Sequence, residues 1–372
     1  MTTLMTVVGT GMVVWATVLS FGLVDGLEHA LRITGQDLDL LVMRPGSETE
    51  TSSGLSQDVA RRIGTLDGVA QDENGQPMAS VEYVTILTKP RRGDAGTTNL
   101  IVRGLEQMGR ALRPEFQITE GRDLKPGINE AITSRRMAER FQNLAIGEKL
   151  EINKVDFTIV GYFESAGSAA ESEVWTDLRD LTLARRVPSD VSSVCVRAAS
   201  PEDREALMTT LKDDKQFQLK AIPETAYYES QMSASVAFKF IGFLIAAFLT
   251  VGAMFAAANT MYAAVASRKR EIGTLRAIGF SRRSILTSFL LESLVLCMMG
   301  GLLGCLATVP LNGLSTGTAN WASFSEITFE FRFGPKVLMW GVLMALAMGL
   351  VGGIFPAIRA VRTDIITALR EN

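Results

Sequence analysis

The residues that could carry out chemistry are few in this chain of 372 residues, and their spacing does not suit catalysis. His29 is the single histidine and adjoins an apolar run, so a Ser-His-Asp site is not expected. The three cysteines, Cys195, Cys297 and Cys305, have neither metal-ligand spacing nor the pattern of a disulfide framework. The sequence contains no GxxxxGKS/T loop for nucleotide phosphates. We therefore expect a protein that is not an enzyme and that binds no metal or cofactor itself.

A short basic segment between two apolar runs is the most informative polar feature. Six Lys/Arg and one acidic residue lie between Ala266 and Arg283, and short loops of this composition stay in the cytoplasm. Apolar residues recur every three positions within it, which predicts a short amphipathic helix at 268–280. We interpret this helix as one that docks in a groove of a partner protein; the alternative is a helix in the lipid headgroup layer. The candidate docking residues are Arg270, Glu271, Ile272, Gly273, Leu275, Arg276, Ile278 and Gly279.

Glu292 lies inside an apolar run, where an unpaired carboxylate costs several kcal/mol. It could pair with a basic group near the cytoplasmic face and tie its helix to the basic segment. A hydrated glutamate at the lipid interface is the alternative.

Small residues in the apolar runs predict close helix packing, either within one subunit or across a dimer. They are Gly300, Gly301, Gly304, Gly352 and Gly353. Pro356 removes a backbone hydrogen bond and so is expected to kink or end its helix.

Four apolar runs are long enough to span a bilayer; they are Leu4–Val24, Val236–Val265, Ser284–Val309 and Val337–Ile358. The first could be a signal peptide, but its helical pattern continues through Leu31 and it lacks a basic leader segment. With the basic segment inside, both termini are expected in the cytoplasm. The usual amphipathic segment before such a first span is missing, so the N-terminus could be truncated.

The predicted domains are a first transmembrane helix with an external extension (1–35), an extracytoplasmic domain (36–232) and a membrane domain (233–372). Residues 25–235 hold 34 acidic and 25 basic residues, a balance that argues against a nucleic-acid partner. Alternating, β-branched runs predict strands at Leu38–Met43, Val81–Leu87, Asn99–Gly104, Leu150–Ile152, Phe157–Tyr162 and Ser193–Arg197. Helices are predicted at Gln57–Ile63, Ile132–Phe141 and Pro201–Asp213.

The segment Phe163–Trp175 is rich in small residues and contains three acidic residues. We expect an exposed connection here, with a loop that faces a substrate or partner as the alternative. The fold class is therefore a membrane protein with four transmembrane helices and a mixed α/β extracytoplasmic domain inserted between helices one and two.

Three stretches make the chain resemble permeases of the MacB/FtsX type, a superfamily that includes the Lol lipoprotein-extraction permeases. The first is Arg268–Gly279, followed by Leu290–Ser293 and Gly300–Gly304, and the second is Gly352–Ala360, followed by Ala368–Arg370. The third is external and resembles the MacB periplasmic core domain: it comprises Glu120–Arg122, Asn129–Ile132, Ile146–Lys149 and Phe157–Gly161.

This resemblance implies a permease subunit in the bacterial inner membrane that forms a dimer, with itself or with a paralogous permease. It implies a separate ABC-class ATPase, which binds the ATP, and a periplasmic membrane-fusion protein as a further partner. ATP hydrolysis would move the periplasmic domains to export or extract a substrate, a process called mechanotransmission. The alternative is an FtsX-like regulator of a periplasmic cell-wall enzyme, which transports nothing.

Overall fold

The structure, a computed structural model, describes residues 2–93, 96–113, 115–231, 233–320 and 325–362. The motif Ala368–Arg370 and the rest of the C-terminal tail lie outside these residues. The chain divides into two compact units, which we call the membrane unit and the external unit. The membrane unit comprises Met1–Gly26, Ser235–Leu314 and Phe331–Asn372, and the external unit comprises Leu27–Ala234 and Ser315–Glu330.

The helices are α1 (Thr2–Arg32), α2 (Gln57–Ile63), α3 (Gln107–Leu112), α4 (Arg135–Arg140), α5 (Leu178–Arg185), α6 (Pro201–Asp213), α7 (Glu224–Gln231), α8 (Ser233–Ser267), α9 (Lys269–Ala277), α10 (Arg282–Leu306) and α11 (Pro335–Val361). The strands are β1 (Asp39–Met43), β2 (Leu55–Ser56), β3 (Ala79–Pro90), β4 (Thr97–Leu105), β5 (Phe116–Gly121), β6 (Glu130–Thr133), β7 (Lys149–Ile152), β8 (Val155–Ser165), β9 (Glu173–Asp177), β10 (Asp190–Val191), β11 (Ser193–Arg197), β12 (Lys220–Pro223), β13 (Ser315–Asn320) and β14 (Ser325–Glu330).

Among the residues that the structure describes, four helices are long and apolar enough to cross a membrane, namely Thr3–Arg32, Phe240–Ser267, Arg282–Leu311 and Pro335–Val361. Each overlaps one of the four predicted spans, so the prediction of a multi-pass membrane protein is confirmed. The helix α1 continues without a break to Arg32, as the apolar pattern predicted. Side chains from all four helices form one core in the membrane unit, which includes Val14 of α1, Ala257 of α8, Cys297 of α10 and Met348 of α11.

The external unit is built on a sheet of ten strands in the order β12-β1-β11-β3-β4-β9-β6-β8-β5, with β7 paired to β8. Most neighbours are antiparallel, and the pairs β4–β9 and β6–β8 are parallel. The long β3–β4 hairpin occupies the middle of the sheet and is paired from Glu82–Leu105 to Pro90–Thr97. Two large apolar cores flank it, one around Phe157 and Met137 and the other around Leu40 and Leu207.

The predicted helix at Ile132–Phe141 is wrong in its first half. Residues Glu130–Thr133 form β6, which pairs with β8 and β9. Ala131, Ile132 and Thr133 are buried, so sheet pairing and burial override their helical pattern. The helix begins at Arg135, because the Ser134 side chain accepts a hydrogen bond from the Met137 N–H and caps it. The predicted cap at α6 is confirmed, since Ser200 accepts from the Asp203 N–H and Pro201 stands in the first turn.

The expectation of an exposed connection at Phe163–Trp175 is also wrong. Phe163, Glu171 and Trp175 are each at most 1% exposed. A short 3-10 helix at Ala169–Ser172 turns the chain, and the Glu171 carboxylate accepts hydrogen bonds from the N–H groups of Ser165 and Gly167. Small residues allow a tight buried turn here. The same composition also occurs in solvated loops, so it does not distinguish the two.

Candidate functional site

The predicted amphipathic helix is present as α9, which begins after Arg268 and ends at Ala277. It ends in a Schellman motif: the Phe280 N–H donates to the Leu275 carbonyl at 3.1 Å, and the Gly279 N–H donates to the Arg276 carbonyl at 3.2 Å. Gly279 has φ +110°, a conformation that side chains rarely adopt. Gly279 is therefore the residue that turns the chain from α9 towards α10.

The apolar residues of α9 do not share one environment. Ile272 is only 3% exposed and packs in a core with Met261, Ile285, Phe289 and Ala357 of the flanking helices. Ile272 is consequently not available as an anchor for a partner. Its inclusion among the predicted docking residues is therefore corrected. The neighbouring Gly273 is buried as well.

We call the segment 268–280 the elbow. Its remaining apolar residues form an exposed surface, which we call the elbow surface and define as Leu275, Ile278 and Phe280. Their exposed fractions are 41%, 73% and 52%. The three-residue periodicity identified Leu275 and Ile278 but missed Phe280, because Phe280 lies beyond the end of the helix. An aromatic residue after the terminal glycine was the signal. Arg270 and Glu271 are exposed as well and add charge beside this surface.

Two arginines fasten the segment to the membrane unit. The Arg276 Nη1 donates to the Val361 carbonyl at 3.0 Å. Val361 is at the C-terminus of α11, and the C-terminal end of a helix favours cations. The Arg268 Nη1 lies 3.1 Å from a carboxylate oxygen of Glu292 on α10. Glu292 therefore has a basic partner in the elbow, as the first of the two interpretations expected. Arg276, one of the candidate docking residues, is engaged by this contact within the chain.

The glycines of α10 allow α1 and α11 to approach it closely. A Cβ on Gly300 would lie 2.5 Å from the Val7 carbonyl oxygen, and one on Gly304 would lie 2.5 Å from that of Gly11. A Cβ on Gly301 would lie 2.4 Å from the Ala345 Cβ of α11. These glycines therefore pack within one subunit.

The glycines of α11 act in the same way towards two other helices. A Cβ on Gly352 would lie 2.9 Å from the Ala257 Cβ of α8, and one on Gly353 would lie 2.6 Å from the Ser293 Cβ of α10. Pro356 is buried inside α11, which continues to Val361. Of the two effects expected from Pro356, termination of the helix is excluded.

The external unit contains a buried ion cluster that sequence reasoning missed. Arg103 lies on β4 and is 3% exposed in its side chain. Its guanidinium contacts the carboxylates of Glu50 at 2.8 Å, Glu82 at 2.6 Å and Glu173 at 2.7 Å. Arg113 contacts Glu82 at 2.7 Å. The signal available in the sequence was single charges inside apolar strand runs, as at Val81–Val84 and Ile101–Arg103.

This cluster is held by mutual pairing and offers no free catalytic group. Burial raises the pKa of Glu82, but the guanidiniums of Arg113 and Arg103 outweigh it and leave the pKa below its usual value. The Trp175 Nε1–H donates to Glu173 at 2.8 Å and the Ser193 hydroxyl donates to Glu50 at 2.6 Å. The adjoining cavity of about 40 Å³ has room for a few waters only. The cluster is therefore a structural centre of the sheet.

A second buried polar group comprises Asp39, Cys195 and Glu224, whose ligand atoms lie within 4.8 Å of one another. Both oxygens of Asp39 are bound by Arg197, at 2.6 and 2.8 Å. Burial raises the pKa of Glu224 to about 8 and raises the pKa of the Cys195 thiol as well. Neutral groups beside an arginine suit a metal cation poorly, so we interpret this trio as part of the folded core.

The described residues form four membrane-length helices, with an amphipathic elbow between the second and third and an α/β domain between the first and second. This is the architecture of a multi-pass membrane protein. The MacB-like periplasmic core domain matches residues 3–214, and the FtsX-like permease C-terminal domain matches residues 243–365. The chain therefore belongs to the MacB/FtsX family of ABC transporter permeases, which work with ABC ATPase partners.

Two relatives align with nearly the whole chain. The uncharacterized ABC transporter permease YknZ of Bacillus subtilis is 25% identical, over 98% of this chain and 92% of its own length. The macrolide export ATP-binding/permease protein MacB of Bdellovibrio bacteriovorus is 27% identical, over 98% of this chain and 58% of its own length. The chain thus spans little more than half of that relative. The periplasmic region of MacB from Actinobacillus actinomycetemcomitans is 11% identical over 55% of this chain and 96% of its own, with a TM-score of 0.38.

Proposed function

We propose that this chain is a permease subunit that couples ATP hydrolysis by a separate ABC ATPase to a conformational change of its external unit. The change would export a substrate or extract it from the outer face of the inner membrane. The chain itself would bind neither ATP nor a metal. Its partners would be the ATPase and a second copy or a paralogous permease, with a periplasmic membrane-fusion protein beyond the membrane.

The elbow surface carries this proposal. Leu275, Ile278 and Phe280 expose apolar side chains at a connection rich in Lys/Arg, which the charge rule assigns to the cytoplasm. Exposed apolar anchors with a charged rim suit a groove on another protein.

The contacts of the elbow also suit force transfer. Arg268 joins it to α10 through Glu292, Arg276 joins it to the end of α11, and Ile272 packs between the flanking helices. A partner that displaced the elbow would therefore displace helices of the membrane unit with it.

The alternative is a regulator of a periplasmic cell-wall enzyme. Both functions use the same ATPase contact, and they differ in what the external unit binds. A pull-down from native membranes separates them, because efflux predicts a membrane-fusion protein and regulation predicts a cell-wall hydrolase.

The docking proposal is tested by placing a charge on the elbow surface. We expect Leu275→Asp and Ile278→Asp to reduce affinity for the ATPase more than a hundredfold, since burying an unpaired carboxylate in a contact costs at least about 3 kcal/mol. The measurement is co-purification of the ATPase with the full chain, together with the amount of chain in the membrane, which should stay normal because both side chains are exposed.

Arg282→Ala is the matched control, because Arg282 is exposed in the same segment but lies at the start of α10. We expect it to retain the ATPase. Stoichiometric co-purification of Leu275→Asp and Ile278→Asp with the ATPase would show that the docking assignment is wrong. The headgroup interpretation predicts that outcome together with weaker membrane attachment of the loop.

A further inference from the structure

The hairpin β13–β14 connects the membrane helices α10 and α11 in the chain, yet it folds as part of the external unit. Within that unit Ile327, Thr328 and Phe329 of β14 are at most 7% exposed. The predicted domain boundaries placed the whole of 233–372 in the membrane domain, and the location of this hairpin differs from that expectation. A strand that is buried against elements from a distant part of the chain is a docked element.

Glu326 provides the charged contact of this docked strand. The residue is 2% exposed. One carboxylate oxygen accepts from Arg91 Nη2 at 2.6 Å and from Arg91 Nε at 3.1 Å. The other oxygen accepts from Arg140, which stands at the end of α4. A buried carboxylate between two guanidiniums is a strong charge-assisted contact, because both of its oxygens are occupied.

The surroundings of Glu326 are shaped for this contact. A Cβ on Gly317, in the partner strand β13, would lie 2.4 Å from the Glu326 carboxylate and 2.7 Å from Arg140, so a larger residue there would force these two side chains to shift. Two residues further along β14, the Thr328 N–H donates to the Ser172 hydroxyl at 2.8 Å. The Ser172 and Thr328 hydroxyl oxygens lie 2.9 Å apart.

The connection from β14 to the membrane helix α11 is short. Four residues, Phe331 to Gly334, separate β14 from α11, and such a segment spans at most about 14 Å. The ladder of the hairpin also continues towards the helices, since Phe331 donates to the Leu314 carbonyl and accepts from the Gly313 N–H, both at 3.0 Å. A displacement of the start of α11 would therefore reach the hairpin through a segment of only four residues.

We propose that the hairpin transmits displacement of α10 and α11 to the external sheet, and that Glu326 with Arg91 and Arg140 is the latch that makes this transmission effective. The proposal rests on the proposed function, because ATP-driven movement is its input. It assigns Glu326 a positioning role: the side chain holds the hairpin on the sheet and need not contact a substrate.

The experiment uses the full chain with its ATPase in lipid nanodiscs and follows backbone hydrogen exchange. The variant Glu326→Gln removes the charge, and Glu330→Gln is the matched control, because Glu330 lies on the same strand but is 43% exposed and pairs with Arg136. We expect exchange at residues 327–329 to accelerate at least tenfold in Glu326→Gln and less than threefold in the control. ATP with vanadate should alter exchange in β1 and β11 in the wild type and the control, but not in Glu326→Gln.

A disulfide supplies the rescue. Ser172→Cys with Thr328→Cys, added to Glu326→Gln, should restore the ATP response when oxidised and lose it when reduced, since it holds the hairpin without the charge. Slow exchange of the hairpin in Glu326→Gln would exclude Glu326 as the latch. If Glu326→Gln released the hairpin and the ATP response stayed normal, the hairpin would be excluded as the route by which displacement reaches the external sheet.

Failure of the proposed function has a different signature. The wild-type chain would then show no ATP response or no bound ATPase. The transmission proposal would fall with it, whereas the effect of Glu326→Gln on hairpin exchange would remain.

Discussion

At the scale of single residues, the external unit depends on buried charges whose states are set by their neighbours. Glu224, at the start of α7, is 5% exposed and accepts a hydrogen bond from the Gln36 N–H at 3.2 Å. Burial raises its pKa to about 8; the charge of Arg113 opposes this effect and that of Asp39 adds to it. Glu224 is therefore neutral in the folded protein at pH values where it is ionised in the unfolded chain.

This difference predicts a pH dependence of stability. Between the ordinary pKa of 4.5 and the folded value of about 8, the folded state holds a proton that the unfolded state has lost. The free energy of unfolding should therefore fall as the pH rises through this window. Glu224→Gln keeps an acceptor for the Gln36 N–H and cannot ionise, so it should remove this contribution.

We expect the stability of Glu224→Gln relative to the wild type to increase by roughly 2 kcal/mol or more between pH 5 and pH 9. Denaturant unfolding of the full chain at both pH values measures it. A difference between the two proteins that does not change with pH would contradict the neutral assignment of Glu224.

At the scale of elements, the membrane unit is held together by backbone approach at glycines. Gly304 of α10 faces the backbone of α1, where the Gly11 carbonyl oxygen and the Trp15 N–H leave no space for a side chain. We expect Gly304→Ala to destabilise the full chain by about 1–3 kcal/mol, because a methyl group there forces the two helices apart.

Gly9→Ala in α1 is the control, since a Cβ at Gly9 would meet no atom within 4 Å. It should be neutral or stabilising, as alanine favours helix over glycine by about 1 kcal/mol. Thermal unfolding in detergent compares the two variants. Equal melting temperatures for Gly304→Ala and the wild type would show that the α1–α10 contact is looser than described.

At the scale of the whole molecule, the placement of Lys and Arg predicts an extracytoplasmic sheet domain and a cytoplasmic elbow. We expect a cysteine introduced at Glu73 to react with an impermeant thiol reagent in intact spheroplasts, and one at Arg283 to react only after lysis. Both positions are exposed, and the three native cysteines are buried and should give little background. Labelling of Arg283→Cys but not Glu73→Cys from outside would reverse the topology.

Much of this architecture could be predicted from the sequence because it depends on local properties. A short stretch of sequence is enough to recognise a span of membrane length, an excess of Lys and Arg, or an alternation of apolar residues. These properties predicted the four spans, the position of the elbow and the cap of α6. They also predicted the strands β1, β3, β4, β7, β8 and β11. The family resemblance rested on the same short motifs.

What only the tertiary structure decided is which faces meet. Ile272 and Leu275 have the same periodicity, but one packs between helices and the other is exposed. Ile132 has a helical pattern and lies in a buried strand, because its neighbours β8 and β9 complete the sheet. Burial of a charge depends on partners distant in the chain, as with Arg103 and Glu50, which are 53 positions apart. The contact of Glu326 with Arg91, 235 positions away, likewise depends on a partner distant in the chain.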